Sequence, residues 1–423
     1  MTKGKRFLSV IAACAMATTT LVSSGIAAHA DNVLTIATDL PLQGAPAAAN
    51  NDTNNAIELY LKSINYTVGK YTVQLKKYDD ATAAAGSWDP AQCASNAQAH
   101  VANTGEVAVM GTYNSGCAKI IVPVLNQDPS GPMLMVSHAN TNVGLTQPYG
   151  PGEPAKYYPT GKRNYARVCI NDNMQGSAAA QFAFSKGIKS VYVMNDTQTY
   201  GQGVAASFTA AAKKLGMKVL SSGPNGQGWD AKQTSYKALF TKIKPLHPQL
   251  IYFGGIFDNN GGQLVKDKTA VLGDNNHGPR IMVPDGFEGY PEFLKLKGAQ
   301  DSWMTFPGLS ADLLVAKYPK GPAAKFLSDF QAAYGHAPTS AYSIYGVAAV
   351  QVILAAIAKS DGSRASVTSQ VFSGAGIQIP ASTSILGREI TISTKTGDTD
   401  AKDLTILTVT DNREVTLQSW SAK

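Results

Sequence analysis

Apolar positions fall into a unit that recurs along the chain: a short apolar run, a polar loop, then a stretch with apolar residues at helical spacing. The first run covers 33–37, and the stretch behind it sets Ile57, Tyr60, Leu61 and Ile64 at i, i+3, i+4 and i+7, one face of a helix. Further strands are expected at 71–78, 107–110, 132–137, 167–170, 190–195, 218–221, 250–254 and 280–283, with helical stretches between most of them. Such alternation implies parallel sheets covered on both faces, an α/β fold. The rhythm breaks at 147–164, where Pro148, Pro151, Pro154 and Pro159 mark a turn-rich stretch read as a connection between lobes, the second beginning near Arg167. After Phe306 the pattern predicts helices at 323–334 and 340–358 and a strand-rich tail at 390–392, 404–410 and 415–420.

The first 30 residues fall outside this rhythm. Lys3, Lys5 and Arg6 precede an apolar run from Phe7, and Ala28-His29-Ala30 offers a small-residue cleavage site, so 1–30 reads as an export signal. A competing reading makes Ile11-Ala12-Ala13-Cys14 a lipoprotein-type box that tethers the protein to the outer face of the membrane through Cys14. Either way the expected location is periplasmic or extracellular. The apolar stretch 344–357 is shorter than a membrane span and patterned like a core helix.

Composition adds less. The chain has 36 Lys plus Arg against 29 Asp plus Glu, a net charge of +7 that falls to about +4 once the signal's three cations are removed. No basic run with interleaved aromatics occurs, so no nucleic-acid partner is expected. Some 393 residues after cleavage exceed what one hydrophobic core usually serves, which predicts two domains. Cys93 and Cys117, 24 positions apart and each near a predicted helix start, are expected to pair in an oxidising compartment; Cys169, on an apolar strand, reads as a buried free thiol.

Candidate chemistry concentrates at strand ends. Two strands, at 107–110 and 132–137, run into loops crowded with Gly, Ser, Thr and Asn, the place in an open α/β sheet where small anionic groups settle. Enzyme patterns fail one by one. Gly201-Gln202-Gly203-Val204-Ala205-Ala206 fits a dinucleotide glycine pattern, but no acid ends the following strand at Ser221. The six histidines have no metal spacing, and Asp79-Asp80 reads as a solvated strand-end cap. No catalysis and no cofactor are expected.

Eight pieces in order, LTIATDLPLQG, YDDA, VMGTYNSGCA, MVSHANTNVGLT, VYVMNDTQTYGQGVA, LIYFGG, IMVPDGFEG and ILGREITISTKTGD, make the chain resemble the type I periplasmic solute-binding proteins of ABC importers, in the branched-chain amino-acid (Leu/Ile/Val) group. The resemblance covers nearly all of 33–410. It implies two doubly wound, Rossmann-like lobes joined by three crossovers, 31–166 plus 305–384 and 167–304 plus 385–423. A small solute, an amino acid or amide, would bind in the cleft and be captured by hinge closure. An ABC permease with its ATPase would be the partner of a monomeric binding protein. An extracellular sensing domain of the same fold, for amides, urea or small organic acids, is the alternative.

Carried over by position, Ser115 and the loop from Thr112 to Gly116 fall where that family holds the ligand carboxylate, as do the backbone of Ala139 and the hydroxyl of Thr141. Asn140 lies between them; Ser115 and Asn140 have an alternative role in capping or turning the chain. Asp285 falls where the family places the acid that accepts the α-ammonium group, usually a glutamate. Tyr200 matches an aromatic cap from the second lobe. Ile256 and Phe257 stand where the family commonly has a hydrogen-bonding tyrosine.

Overall fold

The computed structural model describes residues 32–421; the export signal and Cys14 lie outside them. Two sheets organise the chain. The first runs, edge to edge, through Thr67–Val68, Tyr71–Asp79, Val33–Leu40, Glu106–Gly111, Leu134–Ser137 and Tyr165–Arg167. All neighbours are parallel except Thr67–Val68, which forms a hairpin with Tyr71–Asp79. The second runs through Lys218–Val219, Ser190–Asn195, Leu250–Gly254, Arg280–Val283 and Trp303–Phe306 in parallel, then Asp403–Thr410 and Arg413–Ser421 antiparallel, with Gln227–Gly228 also on Ser190–Asn195. The chain passes between the sheets after Arg167, between Phe306 and Tyr342, and ahead of Asp403.

The central strands are buried along most of their length because helices cover both faces, and the polar Thr38, Asp39 and Glu106 on them are buried too. Leu250–Gly254 is buried at every position. Helix Ala47–Ser63 buries Ile57 and Leu61, the face its periodicity announced. The apolar helix Tyr342–Lys359 packs on Ala47–Ser63 and on two strands of the first sheet, and most of it is buried, so its hydropathy belongs to a core helix. Val347, Val350, Ile353 and Ile357 are fully enclosed, each stabilising the fold by roughly 1.5–3 kcal/mol.

Four expectations are corrected. The strand placed at 167–170 forms at Tyr165–Arg167 and closes the first sheet, since by Ile170 the backbone N–H already bonds the Pro307 carbonyl of the crossover. The proline-rich stretch 147–164 does not connect the lobes. Its Tyr157 and Tyr158 pack against Cys93, Cys117 and Ile121 as a cover on the first sheet, where aromatic burial outweighs the turn signal. The tail strand at 390–392 shrinks to Ile390–Thr391 and pairs with Gln378–Ile379 instead of joining a main sheet. Asp80 is not solvated: helix Pro90–Ala102 closes over it, and neither carboxylate oxygen has a partner. Burial, then the charges of Asp39 and Asp79, drive its pKa well up. Cys93 and Cys117 form a disulfide, and Cys169 is a buried free thiol.

Candidate functional site

The carboxyl ends of the central strands of both sheets point at one gap. Strand Glu106–Gly111 ends in a glycine with φ +154°, where a Cβ would lie 2.6 Å from the Asp39 carbonyl oxygen, so only glycine lets the chain turn there into Tyr113-Asn114-Ser115. Leu134–Ser137 delivers Ala139 from the same side. Three strands of the second sheet supply the opposite wall: Tyr200 on the first turn of the helix after Ser190–Asn195, Ile256 after Leu250–Gly254, and Asp285 with Gly286 after Arg280–Val283. These residues line a narrow gap between the two walls, with a cavity volume of only about 10 Å³.

Asp285 is the polar centre of that gap. Its Oδ1 accepts from Tyr200 Oη and Gln175 Nε2, both at 2.6 Å, and its Oδ2 accepts from Tyr342 Oη at 2.7 Å. Burial raises its pKa, and the three donors pull the other way. Asp285 does not cap the short helix Pro291–Leu294 that follows, whose N-cap position is Tyr290. Gly286 is wedged between walls: a Cβ would lie 2.4 Å from the Gly255 carbonyl oxygen.

On the first-sheet side, Ser115 opens helix Ser115–Asn126, and its Oγ accepts a long bond from the Asn142 backbone N–H at 3.4 Å. Asn142 also reaches across, donating from Nδ2 to the Thr199 carbonyl at 3.1 Å. The loop carrying Ala139 is held from beneath by Arg167, fully buried, which donates from one terminal nitrogen to the Asn140 and Asn142 carbonyls at 2.9 Å each and pairs through Nε with Asp398 at 2.7 Å. On the second-sheet side Asp196 accepts from the Ile256 backbone N–H at 3.0 Å and from Asn259 Nδ2 at 2.7 Å, which positions Ile256.

Of the residues expected from sequence, Ser115, Ala139, Tyr200, Ile256 and Asp285 share the gap. Five others lie around it. Thr112 bonds the Asn114 carbonyl and shapes the turn. Gly116 faces Trp88, which a Cβ would meet at 2.5 Å. Asn140 ties the two loops together, donating to the Thr112 and Tyr113 carbonyls and accepting from Tyr165. Thr141 is fully buried, its hydroxyl unbonded beside Asp172, whose pKa burial lifts to about 8. Phe257 packs its ring with Phe287, Tyr290 and Phe293 and supports the wall from behind.

Gln175, Gly286 and Tyr342 were missed, and Tyr113 and Asn114 entered only as part of the loop from Thr112 to Gly116. Tyr113, Asn114 and Gly286 sat inside quoted strand-end loops, so loop position could have flagged them. Gln175 and Tyr342 are ordinary helical residues whose roles exist only once distant helices meet.

Comparison with known proteins agrees with this architecture. The family model described as "Periplasmic binding protein" matches residues 33–411. A leucine-, isoleucine-, valine-, threonine-, and alanine-binding protein of Pseudomonas aeruginosa is 29% identical over 363 residues, covering 85% of this chain and 86% of that one. A Leu/Ile/Val-binding protein of Rhizobium johnstonii is 29% identical over 348 residues, covering 81% and 84%. Among solved structures, a leucine binding protein from Thermotoga maritima superposes with a TM-score of 0.72 at 20% identity over 92% of this chain and 99% of that one. A solute binding protein from R. palustris in complex with 4-hydroxybenzoate superposes with a TM-score of 0.74 at 15% identity over 92% and 98%. At these identities the structures speak for the fold alone.

Proposed function

Since the chain belongs to the periplasmic binding protein family, we propose that it captures an amino acid of the branched-chain type for an ABC importer, closing two lobes around it. It is a solute-binding protein, not an enzyme, and acts outside the cytoplasm. The relatives named above bind leucine, isoleucine and valine, and one of them threonine and alanine. The observation that carries the reading is the pairing of Ser115 and Asp285 across one gap.

The mechanism follows from desolvation. A zwitterion leaving water needs both charged ends compensated, or burial costs more than contact returns. The helix that starts at Ser115 offers free backbone N–H groups, a hydroxyl and the positive end of its dipole to a carboxylate. Asp285 offers a carboxylate to an ammonium group, which would displace one of its three neutral donors. The two charges come from different sheets, so only the closed form satisfies both ends. A ligand shifts the open-to-closed balance through contacts that closure alone makes. Tyr200 covers the guest, and Ile256 gives its side chain an apolar wall.

A permease with its ATPase then reads the closed shape of a monomer, exported by cleavage after Ala30 or held at the outer face through Cys14. Calorimetry against amino acids, amides and small organic acids tests the reading: micromolar or tighter binding of an amino acid is expected, and no binding across the set overturns it. Mass spectrometry of the mature protein distinguishes the two N-termini.

A further inference from the structure

Asn114 occupies the N-cap of helix Ser115–Asn126, with an extended backbone at φ −91° and ψ 125°. An asparagine there ordinarily accepts from a backbone N–H two or three residues on. This one makes no cap bond. Neither its Oδ1 nor its Nδ2 has any hydrogen-bond partner, although the residue is only 3% exposed. It lines the gap with Tyr113, Ser115 and Ile256. A buried amide that gives up its local cap and finds no partner in the protein is a cost to the fold unless a guest completes it.

The chemistry of that guest group follows from the amide. A donor and an acceptor side by side match a group that itself donates and accepts, a carboxamide or a hydroxyl, and the match is the same whichever way the amide is turned. A hydrocarbon placed there leaves both atoms unpaired behind a closed lobe. Behind Tyr113 lie Tyr290 and Asp258, close enough to pair with each other, so they do not compete with Asn114 for a guest.

Resting on the amino-acid reading above, we propose that Asn114 determines specificity. It makes the closed cleft favour an amino acid whose side chain carries a carboxamide or hydroxyl over its hydrocarbon isostere: asparagine over leucine, threonine over valine. Ser115 and Asp285 hold the common head group, and Asn114 discriminates beyond it.

The test is calorimetry of asparagine, leucine, threonine and valine against the full mature protein and its Asn114→Leu variant, in which the amide becomes an isosteric hydrocarbon. The polar member of each pair should bind the natural protein tighter by about ten- to a hundredfold, and Asn114→Leu should abolish or invert that ratio. Asn114→Ser, which restores a capping hydroxyl, gives a second variant if leucine unfolds the helix start, and it should also shrink the ratio for the longer side chains. Leucine and valine binding as well as or better than their partners, with ratios unchanged in the variants, overturns the role of Asn114 and leaves the amino-acid reading standing. If a folded protein binds none of the four, the amino-acid reading itself falls and this inference with it.

Discussion

Tyr342 donates its phenolic hydrogen to Asp285 Oδ2 at 2.7 Å, joining a helix packed on the first sheet to a strand end of the second. The bond ties the two sheets together across the gap, so on the proposed closure it would be lost whenever they part.

Tyr342→Phe keeps the ring, which packs edge-on against Tyr113 with centroids 5.9 Å apart, and removes only the bond. Because the acceptor is a carboxylate, the closed form should lose about 1.5–3 kcal/mol. Small-angle scattering should then show a larger radius of gyration without ligand. An unchanged radius with unchanged affinity would mean the bond plays no part in closure.

Asp285→Ala removes the acceptor on which three donors converge. Ligand affinity should fall by about 3–5 kcal/mol, since a buried ammonium is left without its partner. Calorimetry reads this directly, and Asp285→Asn should lose nearly as much because size is kept and charge is not. Binding that survives both variants removes Asp285 from the site.

Separation of Arg167 from Asp398 should unfold the loop that presents Ala139. Asp398→Ala strands a fully buried guanidinium that also holds the Asn140 and Asn142 carbonyls, so a stability loss of about 3–5 kcal/mol is expected in urea unfolding. A loss below 1 kcal/mol would show that Arg167 reaches solvent in the variant.

The stability that His100 contributes should be lost as pH rises from about 6.5 to 9. His100 lies buried between Asp39 and Glu106; burial alone would lower its pKa, but the hydrogen bonds to both acids outweigh it and lift it to about 9. The folded state therefore holds this proton more tightly than the unfolded chain, so the contribution is complete below about 6.5 and is lost as pH passes 9, worth roughly 3 kcal/mol. Asp196 at about 6, Asp258 at about 7 and Asp172 at about 8, all raised chiefly by burial, act in the same direction, because folding holds their protons too. Melting temperatures of the natural protein and His100→Asn compared from pH 6.5 to 9 should draw closer as pH rises; a gap that widens across that window contradicts the assignment.

The disulfide closes a loop between residues separated by 24 positions. Paired Cys93→Ser and Cys117→Ser should cost about 3 kcal/mol in the chain-entropy model, read by urea unfolding. Ligand affinity should change little if the bond acts on stability alone.

Local periodicity accounts for what was legible. Ile57 and Leu61 mark a helix because the 3.6-residue repeat is a property of neighbours in the chain, and the strands at Ser190–Asn195, Leu250–Gly254 and Arg280–Val283 form where apolar runs end at Asn-Asp, glycine and proline respectively. Ser115, Ala139, Tyr200 and Asp285 were accessible as strand-end positions on a resembling family. Asp80 was not: its burial depends on helix Pro90–Ala102 settling over a strand end that sequence marks as exposed.

The amino-acid sequence by itself determined the α/β alternation, the largely parallel character of the sheets and the loops that would face a guest, because strand and helix periodicity is set between neighbours in the chain and their alternation forces parallel crossovers. Only the tertiary structure decided which of those loop residues reach the gap, that Tyr342 and Gln175 belong beside Asp285, and that Asn114 forgoes its cap. Those relations join residues up to 110 positions apart or depend on what closes over them, and no local pattern encodes the free-energy cost of leaving a distant polar group unpaired.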